Sequence, residues 1–148
     1  MKAVIQRVSS ASVKVENTFV GQIKGGLLLL LGVVKGDTNI DLNYLLKKTI
    51  GLRLFSDKYN NMNLSLQEVG GSVLVVSQFT LCADTRKGRR PSFINAASPD
   101  KAEQFYLKFC SGLEESGIYV EKGVFGAMMQ VQLINDGPVT ILLDSRNP

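Results

Sequence analysis

The sequence predicts a mixed α/β fold dominated by strands, and three observations predict it. Apolar residues alternate or run unbroken over strand-length stretches in roughly eight places. Two other segments repeat apolar residues at the helical period instead. No repeat, low-complexity tract or linker divides the 148 residues, so residues 1–148 are expected to fold as one domain. With 45% apolar and 20% charged residues, the composition is that of a folded globular chain. Two helices suffice for one sheet face, so a second layer of sheet is expected over the other.

The elements follow in order. Lys2–Val8 alternates, with Val4, Gln6 and Val8 on one face and Ala3, Ile5 and Arg7 on the other. Val13 and Val15 continue the pattern, Glu16-Asn17 is a turn signal, and Phe19–Ile23 returns as a strand. Gly25-Gly26 punctuates before Leu27–Val34, a run too short to span a membrane that reads as a strand buried on both faces. Leu42, Leu45, Leu46, Thr49 and Ile50 form one helical stripe, with Thr38 as N-cap and Gly51 at the C-terminal end. Ser56–Asn63 reads as a loop, and Ser72–Ser77 as another apolar strand after Gly70-Gly71. The second helix has Ser98 as N-cap, Pro99 at its first position, a stripe of Ala102, Phe105, Tyr106, Phe109 and Leu113, and Gly117 as its stop. Ile118–Lys122, Met128–Ile134 and Val139–Leu143 are read as three further strands.

The chain contains no histidine. That excludes Ser-His-Asp and Cys-His triads and histidine-bearing zinc sites. No clustered Asp/Glu motif suggests a carboxylate magnesium site, so neither metal nor cofactor is expected. Catalysis must then use hydroxyls, backbone groups, Lys or Arg, or the substrate's own atoms. Cys82 and Cys110 are too few for a disulfide framework and read as packing residues. Met1–Arg7 carries charge where a signal peptide has its apolar stretch, so a cytoplasmic location and no membrane association are expected. A net charge of +4 with a pI near 9.1 is compatible with a polyanionic partner and equally with an ordinary basic protein.

Three segments stand out. Ser77-Gln78-Phe79-Thr80-Leu81 gathers two hydroxyls and an amide at a strand end, although by spacing alone the strand could simply continue with Gln78 and Thr80 on a wet face. Asn135-Asp136-Gly137-Pro138-Val139-Thr140 has the composition of a β-turn between two strands. Arg86-Lys87-Gly88-Arg89-Arg90 puts four cations in five residues, either a solvated loop or a clamp on phosphates.

Taken in order with Gln6-Arg7-Val8 and Gly88-Arg89-Arg90-Pro91-Ser92-Phe93, these segments closely resemble the D-aminoacyl-tRNA deacylase family, from Met1 to about Leu143. The resemblance implies a three-layer β/β/α sandwich and a homodimer. It implies hydrolysis of the ester between tRNA and a D-amino acid, or glycine mischarged on alanine tRNA, with rejection of L-aminoacyl-tRNA. It also assigns roles. Ser77, Gln78, Phe79 and Thr80 would form the catalytic segment. Gly137-Pro138 would be cis, enter the partner subunit's pocket, and exclude L-amino acids by a clash with backbone. Arg7 would hold that element, Phe125 and Met129 would border the adenosine pocket, and Arg86, Lys87, Arg89 and Arg90 would meet the RNA.

Two mechanisms then compete. Thr80 could attack the ester, but no histidine can serve as its base. Alternatively the tRNA 2′-hydroxyl or a water attacks, with backbone N–H groups near Phe79 and Thr80 stabilising the oxyanion. The missing base favours the second. Two other classes remain in view. A non-catalytic RNA-binding module is disfavoured by a lack of interleaved exposed aromatics. A small-molecule esterase or amidase using Thr80 or Cys82 is disfavoured by the missing histidine.

Overall fold

A long strand, β1 (Lys2–Val15), organises the molecule by pairing along both of its edges. The computed structural model describes all residues, Met1–Pro148. On one edge of β1 lie β2 (Thr18–Ile23) and then β3 (Gly26–Gly32), both antiparallel to it. On the other edge β8 (Gln130–Asp144) runs antiparallel along nearly the full length. β6 (Ser72–Ser77) adds parallel to β3, and β7 (Tyr119–Lys122) parallel to β6. Register breaks in β1 between Val13 and Lys14, and around Val8, let this ribbon bend back on itself. β2 consequently lies over β6 and β7. Gly21 is so close to them that an added Cβ would sit 2.9 Å from the Lys122 carbonyl oxygen.

The bend explains why Leu27–Leu31 has no polar face. Leu27, Leu29 and Leu31 face the helices, in a core with Ala3, Ile5, Val73, Val75, Leu45 and Phe109. Leu28 faces the other way, into a second core with Val8, Ala11, Val13, Ile23, Leu74 and Val76. The layers are therefore helix, sheet and folded-over sheet, as expected of a β/β/α sandwich. Gly26 permits the approach of β3 to β6. Its φ is +155°, and an added Cβ would lie 2.0 Å from the Ser72 carbonyl oxygen.

α1 (Asn39–Gly51) begins with a capping box in which Asp41 reaches back to the Thr38 amide at 2.8 Å. Gly51 is its last helical residue, and the stop is made by extended Leu52 rather than by a left-handed glycine. α2 (Pro99–Glu115) has Ser98 at the N-cap position, but the hydroxyl caps nothing. It ends in a full Schellman motif. Gly117 (φ +80°) donates to Glu114, Ile118 donates to Leu113, and Ile118 and Leu113 are both buried.

Two expectations need correction. Ser56–Asn63 is not a simple loop, because its ends belong to a hairpin of β4 (Arg53–Ser56) and β5 (Met62–Ser65). These strands are too short to show a period, and Asp57 closes their turn by accepting from the amides of Tyr59 and Asn61. The segments Met128–Ile134 and Val139–Leu143 are not two strands about a β-turn. Met128 and Met129 precede β8, while residues 130–134 and 140–143 lie on it and pair with the same β1.

Candidate active site

β6 is buried from Val73 to Val76 and delivers Ser77 at its carboxyl end. The Gln78 amide continues the ladder to the Leu31 carbonyl at 2.7 Å, and the chain then leaves the sheet in a 3-10 turn, Phe79–Cys82. Cys82 anchors that turn. It is buried, and its Sγ donates to the Val33 carbonyl at 3.4 Å. Burial also pushes the thiol up from its ordinary pKa, which suits packing and removes support for Cys82 as a nucleophile. Gly32 makes room beneath the turn, where a Cβ would lie 3.0 Å from the Gln78 carbonyl oxygen.

The first amides of such a turn have no acceptor within it. Those of Phe79 and Thr80 make none of the loop or cap hydrogen bonds, and both residues are exposed. Gln78 Nε2 donates to Thr80 Oγ1 at 2.5 Å. A carboxamide N–H cannot take up a proton, so the Thr80 hydroxyl faces a donor where a nucleophile would need a base.

The loop leaving β7 forms the neighbouring wall. The Gly123 amide donates to the Val75 carbonyl at 2.9 Å, and the Tyr106 hydroxyl reaches Val75 O at 2.9 Å and Gly123 O at 3.3 Å. Burial raises the Tyr106 pKa, which keeps it a hydroxyl donor. The Tyr106 ring packs 5.9 Å from that of Phe125. Phe125 and Met129 are half-buried, Phe125 against the main core and Met129 against the second.

On its outer side the turn carries Phe79, whose ring meets Phe93 edge-on at 5.0 Å. Phe79 is 57% exposed, Phe93 38% and the adjacent Ile94 77%. The expected lack of interleaved exposed aromatics is thus incorrect, since Phe79 and Phe93 are both exposed on either side of the basic run. Phe93 folds back onto a residue fourteen positions earlier in the chain, which spacing does not reveal. Reciprocal amide bonds between Asp84 and Ser92, at 2.8 and 2.9 Å, close the basic loop. Within it the Arg86 guanidinium grips both Asp84 oxygens, at 2.9 and 2.6 Å, and holds that carboxyl well below the usual range. Lys87, Arg89 and Arg90 are exposed and make no ion pair.

Asn135–Thr140 lies elsewhere. Gln6 pairs with Thr140 and Val8 with Asn135, so β8 spends four residues, 136–139, opposite Arg7 alone. The surplus projects as a tip whose residues Asp136, Gly137 and Pro138 are exposed, over a half-buried base of Asn135 and Val139. The Gly137–Pro138 peptide is cis. Gly137 has φ +154°, and an added Cβ would lie 2.6 Å from the Val139 nitrogen. Arg7 Nε donates to the Asp136 carbonyl at 2.7 Å, and Nη1 to the Leu54 carbonyl at 2.5 Å.

One chain does not bring the two segments together. Ser77, Leu31, Ala3 and Leu143 share one level of the sheet, while Arg7 lies four residues further along β1. That places the tip about 13 Å along the strands and about 14 Å across them from Ser77, hence about 20 Å away. The turn, Phe125, Met129 and the basic loop form one cluster, and the tip stands apart from it. Sequence reasoning singled out the segment Asn135–Thr140 but gave no separate role to Asn135, and none in the site to Tyr106 or Phe93.

The chain is similar to known proteins over nearly its whole length. The family model described as D-Tyr-tRNA(Tyr) deacylase matches residues 4–144. A D-aminoacyl-tRNA deacylase of Kosmotoga olearia is 57% identical over 146 residues, covering 99% of this chain and 98% of that one. Another, of Desulfatibacillum aliphaticivorans, is 56% identical over 146 residues, covering 99% and 100%. Among solved structures, a c-Myc DNA unwinding element binding protein superposes with TM-score 0.91 at 40% identity, covering 97% of this chain and 98% of that one. A structure described as a probable eukaryotic D-amino acid tRNA deacylase shares the fold with TM-score 0.84 at 17% identity, covering 96% and 97%. No helix of the chain is long and apolar enough to cross a membrane.

Proposed function

The chain belongs to the D-aminoacyl-tRNA deacylase family, a family of ester hydrolases, and from that premise we propose that it is a chirality checkpoint acting on charged tRNA in the cytoplasm. It deacylates D-aminoacyl-tRNA, accepts glycine mischarged on alanine tRNA, and leaves L-aminoacyl-tRNA intact. The observation that carries the reading is the separation of an exposed, braced Gly137–Pro138 tip from an exposed turn with free amides. Two copies related by a twofold axis complete each other, the tip of one meeting the Ser77–Thr80 turn and the Phe125–Met129 loop of its partner.

In this site the tip presents backbone rather than side chain. The α-amino group of a D-amino acid is held there, and an L-amino acid held the same way drives its side chain into the tip. Rejection therefore needs no recognition of the side chain, which lets one pocket accept many D-amino acids. The ester carbonyl lies over the Phe79 and Thr80 amides. Water adds to it, the developing oxyanion takes up both N–H groups, and the bond to the ribose oxygen breaks. The proton from water passes by way of the vicinal ribose hydroxyl to the leaving ribose oxygen. Thr80 positions the ester, and Ser77 and Gln78 shape the turn. Phe125 and Met129 border the terminal adenosine, while Lys87, Arg89 and Arg90, with Arg86 at the edge, meet phosphates.

A paired assay with D-Tyr-tRNA and L-Tyr-tRNA tests the reading. Release of D-tyrosine with L-Tyr-tRNA left intact is expected. Equal hydrolysis of both, or of neither, overturns it.

A further inference from the structure

The excursion at 136–139 removes four residues from the ladder with β1, so its peptide groups need other partners. The Asn135 side chain supplies them. Its Oδ1 accepts from the Val139 amide at 2.7 Å, and its Nδ2 donates to the Val139 carbonyl at 3.2 Å. This is the two-bond exchange that a facing residue makes in an antiparallel ladder. One carboxamide thus stands in for the strand partner that Val139 has lost. Nδ2 also donates to Thr140 Oγ1 at 3.0 Å, and that hydroxyl accepts from Gln6 Nε2 at 3.3 Å. The network therefore ties the base of the tip to β1.

Arg7 grips the tip at its other root, through the Asp136 carbonyl. Between the two grips only Gly137 and Pro138 are left. Neither grip contacts the turn that carries the Phe79 and Thr80 amides, which belongs to the other cluster of the same chain.

We propose that Asn135 is a specificity-determining positioning residue, which sets the direction of the Gly137–Pro138 backbone and so the discrimination between D- and L-aminoacyl esters. The proposal rests on the reading of the tip as the chiral barrier. A tip held at one root pivots, and a pivoting backbone yields to an L side chain. The amides that stabilise the oxyanion stay where they are. Loss of Asn135 therefore relaxes selectivity more than it slows the reaction on the D-substrate.

The test compares Asn135→Ala and the isosteric Asn135→Asp with wild type, reading kcat/KM for D-Tyr-tRNA and L-Tyr-tRNA together with Tm. Asn135→Asp keeps the acceptor for the Val139 amide but turns an oxygen toward the Val139 carbonyl. Each lost hydrogen bond is worth a factor of about 3 to 10, so the D:L ratio is expected to fall about 10- to 100-fold. That fall should come chiefly from faster L-hydrolysis. A lower Tm with an unchanged ratio reduces Asn135 to a structural residue and overturns the proposal, as does a variant equal to wild type in both. If Asn135→Ala does not fold, Asn135→Asp decides by the same criteria. A wild-type protein that fails to discriminate sinks the underlying reading instead, and the two failures are thereby distinct.

Discussion

Arg7 and Asp136 are joined by a 2.7 Å bond from the Arg7 Nε to the Asp136 backbone carbonyl, at a position where β1 has no ladder partner on β8. The same guanidinium donates to Leu54, so it ties the base of the tip to β4. Hydrogen bonds from charged groups are worth about 1.5–3 kcal/mol. Arg7→Ala should therefore slow D-Tyr-tRNA deacylation by about 10- to 100-fold while the chain stays folded. Arg7→Lys should not restore it, because an ammonium cannot span two carbonyls in fixed directions. Single-turnover rates with circular dichroism as a fold control check this, and full activity in Arg7→Lys would refute the two-pronged role.

Thr80→Ala should keep substantial deacylase activity, since the hydroxyl faces the Gln78 carboxamide and no base. Phe79→Pro, which deletes one amide of the turn, should cost about 100- to 1,000-fold. Rates of the two variants on one D-aminoacyl-tRNA check the contrast. An acyl group trapped on Thr80 would reverse it.

Gly137→Ala strains the tip, and Phe79→Pro disarms the turn. If each site takes one part from each subunit, mixing the two inactive proteins leaves one intact site in every mixed dimer. Random exchange should then restore about a quarter of wild-type activity. No recovery after verified exchange would place both parts of the site in one chain.

Within the basic loop, Arg86 is already paired with Asp84, whereas Lys87, Arg89 and Arg90 are free. Replacing Arg89 or Arg90 by Ala should weaken tRNA binding and lower the slope of log K against log salt by about 0.7–0.9 each. Arg86→Ala should change the slope less. Binding titrations at several salt concentrations measure these slopes.

Asp41 gives a pH signature. Burial alone would raise its carboxyl, but bonds from Ser145 and from the Thr38 amide and hydroxyl outweigh burial and hold it at about 2, below its ordinary 3.8. A pKa lowered by folding contributes stability above the unfolded value that is lost as pH falls through the folded one. Asp41→Asn should therefore lower Tm near neutrality, and the gap from wild type should close between about pH 4 and pH 2. Thermal melts across that range decide the matter, and a gap that stays constant would refute the assignment.

Much of this arrangement was legible in the residues. Unbroken Leu27–Leu31 announced burial on both faces, because no polar position was left for solvent. Gly117 marked the end of α2, since it supplies the left-handed turn, whereas the apolar contact of Ile118 with Leu113 emerged only in the structure. The absence of histidine was legible without any structure. What stayed hidden depended on pairings distant in sequence. The composition of Asn135–Val139 is that of a turn, and only registration of both flanks against β1 turns it into a projection. Phe79 and Phe93 meet because the intervening loop closes through Asp84 and Ser92, and neither residue predicts that closure. β4 and β5 are held by a tight Asp57 turn and are too short for a period to register.

The pairing of β1 along both edges also bears on how the chain assembles. β2 and β3 come next in the chain after β1, so one edge can close early by local contacts. The other edge waits for β8, the last strand of the chain, and closing so long a loop is slow. Until then β1 offers a row of unpaired peptide groups, the kind of edge that recruits strands from other molecules. Correct assembly is therefore a contest between the arrival of β8 and capture of that edge by a neighbouring copy, and synthesis that stalls before Gln130 favours the wrong winner.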